Sequence, residues 1–163
     1  MSSNLYHSLN LLPGKDPAPR GQKRSFPGSC YCHEIEYLIE LGNPEQGART
    51  SICYCANCRI RKYILYSGLV LRSAFRVIKG ETKKRISDNG SGTRLHREFC
   101  EICGGGILEY GESAGDKVYI TYGSLEDPTE LPPRGGFFCK HRESWISWMP
   151  EVPGTFQKKE VKN

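Results

Sequence analysis

The residues best suited to chemistry in this chain are its cysteines, eight in a sequence of 163 residues. Seven of them form three tight clusters, which are Cys30-x-Cys32, Cys53-x-Cys55-x-x-Cys58 and Cys100-x-x-Cys103. Zinc prefers thiolate sulfur in tetrahedral sites, and a spacer of one or two residues lets a single turn present two sulfurs to one ion. The sequence therefore predicts a cysteine-liganded zinc protein.

Two of these clusters are pairs, and each pair supplies half of a tetrahedral site. Cys100 and Cys103 precede three glycines, which permit left-handed backbone close to a metal, as in a zinc knuckle. Cys30 and Cys32 are separated by one residue, so an extended segment places both thiols on one face. Together the four thiols would form a closed and therefore structural site. The alternative is a set of buried thiols without metal.

The third cluster, Cys53, Cys55 and Cys58, offers three thiols with no obvious fourth ligand nearby in sequence. Catalytic zinc is usually held by three protein ligands, which leave one position open for water or a substrate thiol. We therefore predict these cysteines as metal ligands and as the catalytic group. Two alternatives remain: Cys139 or His141 closes the site as a fourth ligand, or the three thiols form a redox centre without metal.

Four residues near these clusters have a less specific chemistry. Arg59 directly follows the last cysteine of the trio and is a candidate for binding the carboxylate of an anionic substrate, although a surface arginine is an equal interpretation. His33 and Tyr54 adjoin ligands, and we interpret them as a turn residue and a packing residue. Cys139 follows two phenylalanines, which favours a packed thiol.

Composition limits the location and the partners of the chain. Its 23 Lys and Arg residues exceed its 18 Asp and Glu residues, and the net charge of +5 is spread along the sequence. A nucleic-acid partner is not expected, because such proteins usually have a denser basic stripe. No apolar run approaches the roughly 18 residues of a membrane span, and no secretory signal is evident. We therefore expect a reducing, cytoplasmic location, where clustered cysteines bind metal more often than they form disulfides.

The elements that position the cysteines are predicted to be strands. Alternating apolar residues predict a half-buried strand over residues 35–39, and similar patterns occur at residues 75–78, 106–110 and 117–122. Helix is limited to short pieces after Cys55 and around residues 128–131. The class is mostly β. Residues 1–25 are predicted to be a flexible tail, residues 26–156 the zinc-binding domain and residues 157–163 a polar tail.

Several segments resemble a known family. They are residues 28–37 (GSCYCHEIEY), 53–59 (CYCANCR), 97–104 (REFCEICG) and 118–128 (VYITYGSLEDP). They are similar to the signatures of the glutathione-dependent formaldehyde-activating enzyme family, which also includes centromere protein V. The resemblance covers roughly residues 26–156, and the ordered set of three cysteine motifs is its specific part.

The resemblance implies a small β-tent fold of several coiled antiparallel sheets with few short helices. It implies two zinc ions, one structural and one near which the thiol of glutathione acts. The structural ligands would be Cys30, Cys32, Cys100 and Cys103, and the second set would be Cys53, Cys55 and Cys58. The implied activity is that of a carbon–sulfur lyase acting on a glutathione-type thiol adduct.

Three positions depart from the family pattern. The family usually has Gly where this chain has His33, and His where this chain has Tyr54. It also has a short Lys-x-Ser-Gly segment where this chain has residues 60–68. The alternative function is a non-catalytic zinc-binding module for chromatin, nucleic acid or protein, in which a fourth protein ligand would close the second site.

Overall fold

The computed structural model describes residues 23–62, 65–88, 92–146 and 156–158. Most of the predicted N-terminal tail therefore lies outside the described residues, as does the end of the predicted C-terminal tail. Nowhere in the described ranges is there a helix long and apolar enough to cross a membrane.

The described residues are mostly β, as predicted. They form the strands β1 (Arg24–Ser29), β2 (Glu36–Leu41), β3 (Arg49–Cys53), β4 (Leu65–Leu71), β5 (Phe75–Lys79), β6 (Lys83–Asp88), β7 (Arg94–Phe99), β8 (Gly106–Gly111), β9 (Lys117–Thr121), β10 (Gly135–Phe137) and β11 (Phe156–Lys158). Two short α-helices are α1 (Pro44–Gly47) and α2 (Ala56–Lys62). Single 3-10 turns connect several strands, including Tyr122–Ser124, Pro128–Glu130 and Cys139–His141.

The strands form two sheets. The smaller has the order β1-β2-β5, and the larger has the order β11-β10-β3-β4-β9-β8-β7-β6. Pairing is antiparallel except at β10, which runs parallel to both β3 and β11. This departs from the all-antiparallel sheets that the resemblance implied. A parallel pair needs a long connection, and the chain reaches β10 after passing through β4 to β9.

The predicted strands are confirmed at β2, β5, β8 and β9, where apolar residues alternate or form short runs. The short helix predicted after Cys55 is α2, and the piece predicted near residues 128–131 is a 3-10 turn. β6 was not predicted, because its residues are almost all exposed and a strand without a buried face shows no apolar alternation. β11 extends the sheet by two residues into the predicted C-terminal tail.

The core lies where the two sheets face each other. The small sheet contributes the buried side chains of every second residue of β2, and the large sheet contributes apolar residues of β4, β8 and β9. Tyr37 is fully buried, its ring packs tilted against the Phe75 ring with the centroids 5.0 Å apart, and its hydroxyl hydrogen-bonds to Ser124 Oγ at 2.7 Å. Burial raises the pKa of Tyr37 to about 12, so the hydroxyl stays protonated and keeps its hydrogen bond to the 3-10 turn that follows β9.

Gly28 allows this contact because β1 passes directly over the Tyr37 ring. A Cβ atom at position 28 would overlap that ring and would lie 2.6 Å from the carbonyl oxygen of Ser124. Only glycine therefore fits here without displacing backbone.

We predict that Gly28→Ala lowers the free energy of unfolding by about 1–3 kcal/mol, the usual cost of overpacking a core. The matched control is Gly42→Ala, since no atom lies within 4 Å of a Cβ at that position. Chemical denaturation of both variants measures the difference. Equal stability of the two variants would contradict the close packing of β1 on Tyr37.

Candidate functional site

The seven clustered cysteines form two separate groups in the structure. In each group the Sγ atoms all lie within 4.8 Å of one another, a spacing at which they can hold a metal ion. All eight cysteines of the chain are free thiols. The groups are the tetrad Cys30, Cys32, Cys100 and Cys103 and the trio Cys53, Cys55 and Cys58.

The tetrad is built from two turns of similar form. The first follows β1, where the His33 N–H donates to the Cys30 carbonyl oxygen at 3.0 Å. The second connects β7 with β8, where the Gly104 N–H donates to the Cys100 carbonyl oxygen at 2.9 Å. Both turns place this donor residue in the left-handed region, with φ of 57° at His33 and 70° at Gly104. In both motifs the residue after the second cysteine has a left-handed backbone, although the hydrogen bond spans three residues in the first turn and four in the second.

The sulfur spacing in the tetrad fits zinc. The Cys32 Sγ atom lies 3.6 Å from Cys30 Sγ and 3.7 Å from Cys100 Sγ. A tetrahedron with zinc–sulfur bonds of about 2.3 Å has edges of about 3.8 Å, close to both distances. The four residues therefore have the donor chemistry and the spacing that a zinc ion requires.

The pKa values of the tetrad shift in both directions: burial and contacts with the other three sulfurs raise the pKa of Cys32 to about 12, whereas backbone N–H groups help to lower those of Cys30 and Cys103. Burial alone would raise the pKa of Cys30, but the Ile35 N–H, 3.2 Å from its sulfur, and the neighbouring cysteines bring it below the ordinary value. The backbone N–H of Gly105 lowers the pKa of Cys103 to about 6. These N–H donors stabilise the ionised sulfur, the form that binds metal.

The trio lies where β3 ends and α2 begins. Cys53 is the last residue of β3, and the Cys58 N–H in the first turn of α2 donates to Cys55 Sγ at 3.4 Å. Thiol donors from Cys53 and Cys58, with the N–H groups of Cys58 and Asn57, lower the pKa of Cys55 to about 2. The contact with Cys55 raises the pKa of Cys53 to about 11, and contacts with both other sulfurs raise the pKa of Cys58. The three sulfurs thus shift one another's pKa values in opposite directions, down at Cys55 and up at Cys53 and Cys58.

No fourth protein ligand closes the trio in the described part of the chain. No other His, Cys, Asp or Glu donor atom there lies within 4.8 Å of all three sulfurs, and this includes Cys139 and His141. A Cβ atom at Gly136 would lie 2.8 Å from Cys139 Sγ and 3.6 Å from the Tyr54 ring. Cys139 thus packs against β10 and Tyr54, which fits its interpretation as a packed thiol.

Two residues adjoin the trio in sequence, the buried Tyr54 and the exposed Arg59. Tyr54 is 5% exposed, and its N–H donates to the Phe137 carbonyl oxygen at 3.1 Å, which fits a packing role. Arg59 is exposed on α2 and lines a cleft of 270 Å³ together with Tyr54, Lys140 and Arg142. Lys140 and Arg142 could not be placed in this cleft from the sequence, because the parallel pairing of β10 with β3 brings them here.

Comparison with known proteins decides the family. Residues 25–141 match the sequence family of the glutathione-dependent formaldehyde-activating enzyme. The chain belongs to this family. A crystal structure of a Rhodobacter sphaeroides protein is similar at 25% identity and a TM-score of 0.50, over 64% of this chain and 94% of that chain. No curated protein sequence matches significantly.

This member of the formaldehyde-activating enzyme family carries a strained turn beside the tetrad. His33 has a φ of 57°, where a side chain costs about 1 kcal/mol or more relative to glycine. Its side chain is exposed, whereas its backbone N–H donates to the Cys30 carbonyl oxygen and its own carbonyl oxygen accepts from Lys79 Nζ at 2.7 Å. A glycine at this position would remove that strain without loss of side-chain packing.

We predict that His33→Gly raises the free energy of unfolding by about 1 kcal/mol, because glycine adopts the left-handed region without the Cβ clash. His33→Ala is the matched control, since it removes the imidazole and keeps the Cβ atom. Chemical denaturation at constant metal content measures both. An equal gain in the two variants would assign the effect to the imidazole and not to the backbone.

Proposed function

We propose that this chain is a zinc-dependent carbon–sulfur lyase-like enzyme that acts on the adduct of a glutathione-type thiol with a small aldehyde. The observation that supports it best is the trio of Cys53, Cys55 and Cys58, whose three close sulfurs have no fourth protein ligand in the described residues. Membership of the glutathione-dependent formaldehyde-activating enzyme family supports the substrate class. An interaction module would need a closed second site, and nothing in those residues closes it.

The proposal includes two zinc ions for each chain. The tetrad of Cys30, Cys32, Cys100 and Cys103 would hold a structural ion, because four thiolates complete its coordination. The trio would hold the second ion. When bound there, zinc would keep the sulfur of a thiol ligand deprotonated near neutral pH, well below the ordinary thiol pKa of about 8.5.

The chemistry is the formation or cleavage of one carbon–sulfur bond. In the forward direction the thiolate sulfur of the ligand donates an electron pair to the aldehyde carbon. The carbonyl π electrons move to oxygen, which takes a proton from solvent, so the product is a hydroxyalkyl thioether. The protein residues position the reactants: the trio fixes the site, and Arg59 binds a carboxylate of the thiol. We place the reaction in a reducing, cytoplasmic compartment, where the cysteines stay unoxidised.

We predict that the purified protein contains two zinc ions for each chain and that Cys55→Ser folds with one. Cys103→Ser should be unfolded or insoluble, because a structural zinc site contributes roughly 10–16 kcal/mol, as much as the net stability of a domain. Elemental analysis and circular dichroism measure both properties. A stable, folded Cys103→Ser variant would contradict the structural role of the tetrad.

Cys139→Ser serves as the control for this experiment. It removes a thiol that packs against Gly136 and lies outside both groups, so the variant should keep two zinc ions. Loss of one ion in Cys139→Ser would make Cys139 the fourth ligand of the trio and would overturn the open site.

We predict that the wild-type protein accelerates exchange between formaldehyde and its glutathione adduct, and that Cys55→Ser leaves only the uncatalysed rate. Two-dimensional NMR exchange spectroscopy with ¹³C-labelled formaldehyde measures this rate at equilibrium. Cys139→Ser should retain the wild-type rate. If wild type and Cys55→Ser gave the same exchange rate, the proposed activity would be wrong.

A further inference from the structure

The large sheet ends at β6, and this edge strand is exposed. In the described part of the chain no strand pairs with the side of β6 that faces away from β7. Five of its six residues are exposed, and one of them is the apolar Ile86, at 53%. In an antiparallel pair, every second residue of an edge strand points its N–H and C=O groups away from its neighbour. β6 therefore presents backbone donors and acceptors with which an extended chain can pair.

The charges of β6 and β7 are matched on one face of this pair and unmatched on the other. On the first face, residues of opposite charge lie directly across from each other, and these are Lys84 with Glu98 and Asp88 with Arg94. On the second face, Arg85 lies directly opposite Arg97. Like charges at opposite positions destabilise a pair of strands. The Arg85–Arg97 pair is thus an unfavourable contact at the exposed end of the sheet.

The Arg85–Arg97 pair has one carboxylate beside it. Glu109 lies opposite Arg97 on β8, and its Oε2 atom is 3.5 Å from the buried Arg97 Nε atom. Lys83, on the same face of β6, already forms an ion pair with Glu101 at 2.8 Å. Arg85 is exposed and forms no ion pair within the described ranges. One carboxylate therefore serves two guanidinium groups, and the position across the edge from Arg85 lacks one.

We propose that β6 binds an acidic, extended segment of another protein, which adds to the large sheet as its next strand and places a carboxylate opposite Arg85. Main-chain hydrogen bonds to β6 provide affinity, and alternate side chains provide specificity. Because side chains alternate between faces, the segment has acidic residues on the face of Arg85 and apolar residues on the face of Ile86. Charge disfavours a second copy of β6 as the occupant, since it would bring another Lys83, Lys84 and Arg85 to the same edge.

This edge is far from the trio. Cys53 lies on β3, and β6 is five strands away in the order of the large sheet. Neighbouring strands are about 4.8 Å apart, so the two surfaces are separated by about 24 Å across the sheet. The inference therefore goes beyond the proposed function, and either of the two can fail without the other.

The test uses the capped peptide acetyl-Glu-Val-Glu-Val-Glu-Val-amide and a counterpart with lysine in place of every glutamate. A ¹H–¹⁵N NMR titration of the zinc-loaded protein at low salt measures the affinity and locates the contact. We expect peak shifts centred on residues 83–88 and about fivefold tighter binding of the acidic peptide, as a cross-strand ion pair allows. In Arg85→Gln, the acidic peptide should bind about fivefold more weakly than to the wild type.

Arg76→Gln is the matched control. Arg76 is also exposed on an edge strand, since β5 is the last strand of the small sheet, and it forms an ion pair with Glu40 at 3.6 Å. This variant loses the same charge and should keep the wild-type affinity for the acidic peptide. Without peptide, Arg85→Gln should be at least as stable as the wild type, because the like-charge pair is gone. Chemical denaturation measures that stability and shows that each variant is folded.

Two N-methylated forms of the acidic peptide distinguish strand addition from the attraction of charge alone. One form carries methyl groups on the glutamate nitrogens, and the other carries them on the valine nitrogens. Only one of these two sets of N–H groups faces β6 in an added strand. One form should therefore lose binding, and the other should keep it.

Four results would overturn the proposal. Equal affinity for the acidic and basic peptides, or unchanged affinity in Arg85→Gln, would remove the role of the unmatched charge. Binding of both methylated forms would show attraction without strand addition. Peak shifts centred away from residues 83–88 would place the peptide elsewhere. Tighter binding of a single-stranded oligothymidylate at the same residues would make this edge a nucleic-acid site.

Discussion

The tetrad joins two segments that belong to different sheets. Cys30 and Cys32 lie between β1 and β2 of the small sheet, and Cys100 and Cys103 lie between β7 and β8 of the large one. A cation held by all four sulfurs would tie these two segments, and with them the two sheets, to each other. The tetrad is therefore the point at which metal binding would be coupled to the packing of the sheets.

The trio is also positioned by the sheets, but it has three sulfur donors where the tetrad has four. β3, which ends at Cys53, pairs with β4 on one side and with β10 on the other, so strand pairing fixes the position of the trio. Its three sulfurs lie within reach of one cation, yet the described residues offer no fourth donor. A set of four donors completes a tetrahedron and is stable, whereas a set of three leaves one vertex for a ligand. In the proposed function, this difference of one sulfur separates the structural site from the chemical one.

The sequence predicted the structure best where the residues concerned are close together along the chain. The division of the seven cysteines into a tetrad and a trio follows from the spacers and the family resemblance, and strands such as β2 follow from the alternation of Ile35, Tyr37 and Ile39. Neither the exposed strand β6 nor the parallel pairing of β10 produces a comparable pattern in the sequence. Lys140 and Arg142 could not be placed in the cleft that they line with Arg59, because their position depends on a pairing between residues more than 80 positions apart, at Cys53 and Phe137.

Anomalous diffraction at the zinc absorption edge, from crystals grown with glutathione, tests the central claim most directly. The account predicts two peaks for each chain. One should be surrounded by the four sulfurs of the tetrad, and the other by the sulfurs of Cys53, Cys55 and Cys58 together with the sulfur of glutathione. A single peak, or a second peak whose fourth ligand is a protein atom, would contradict the account.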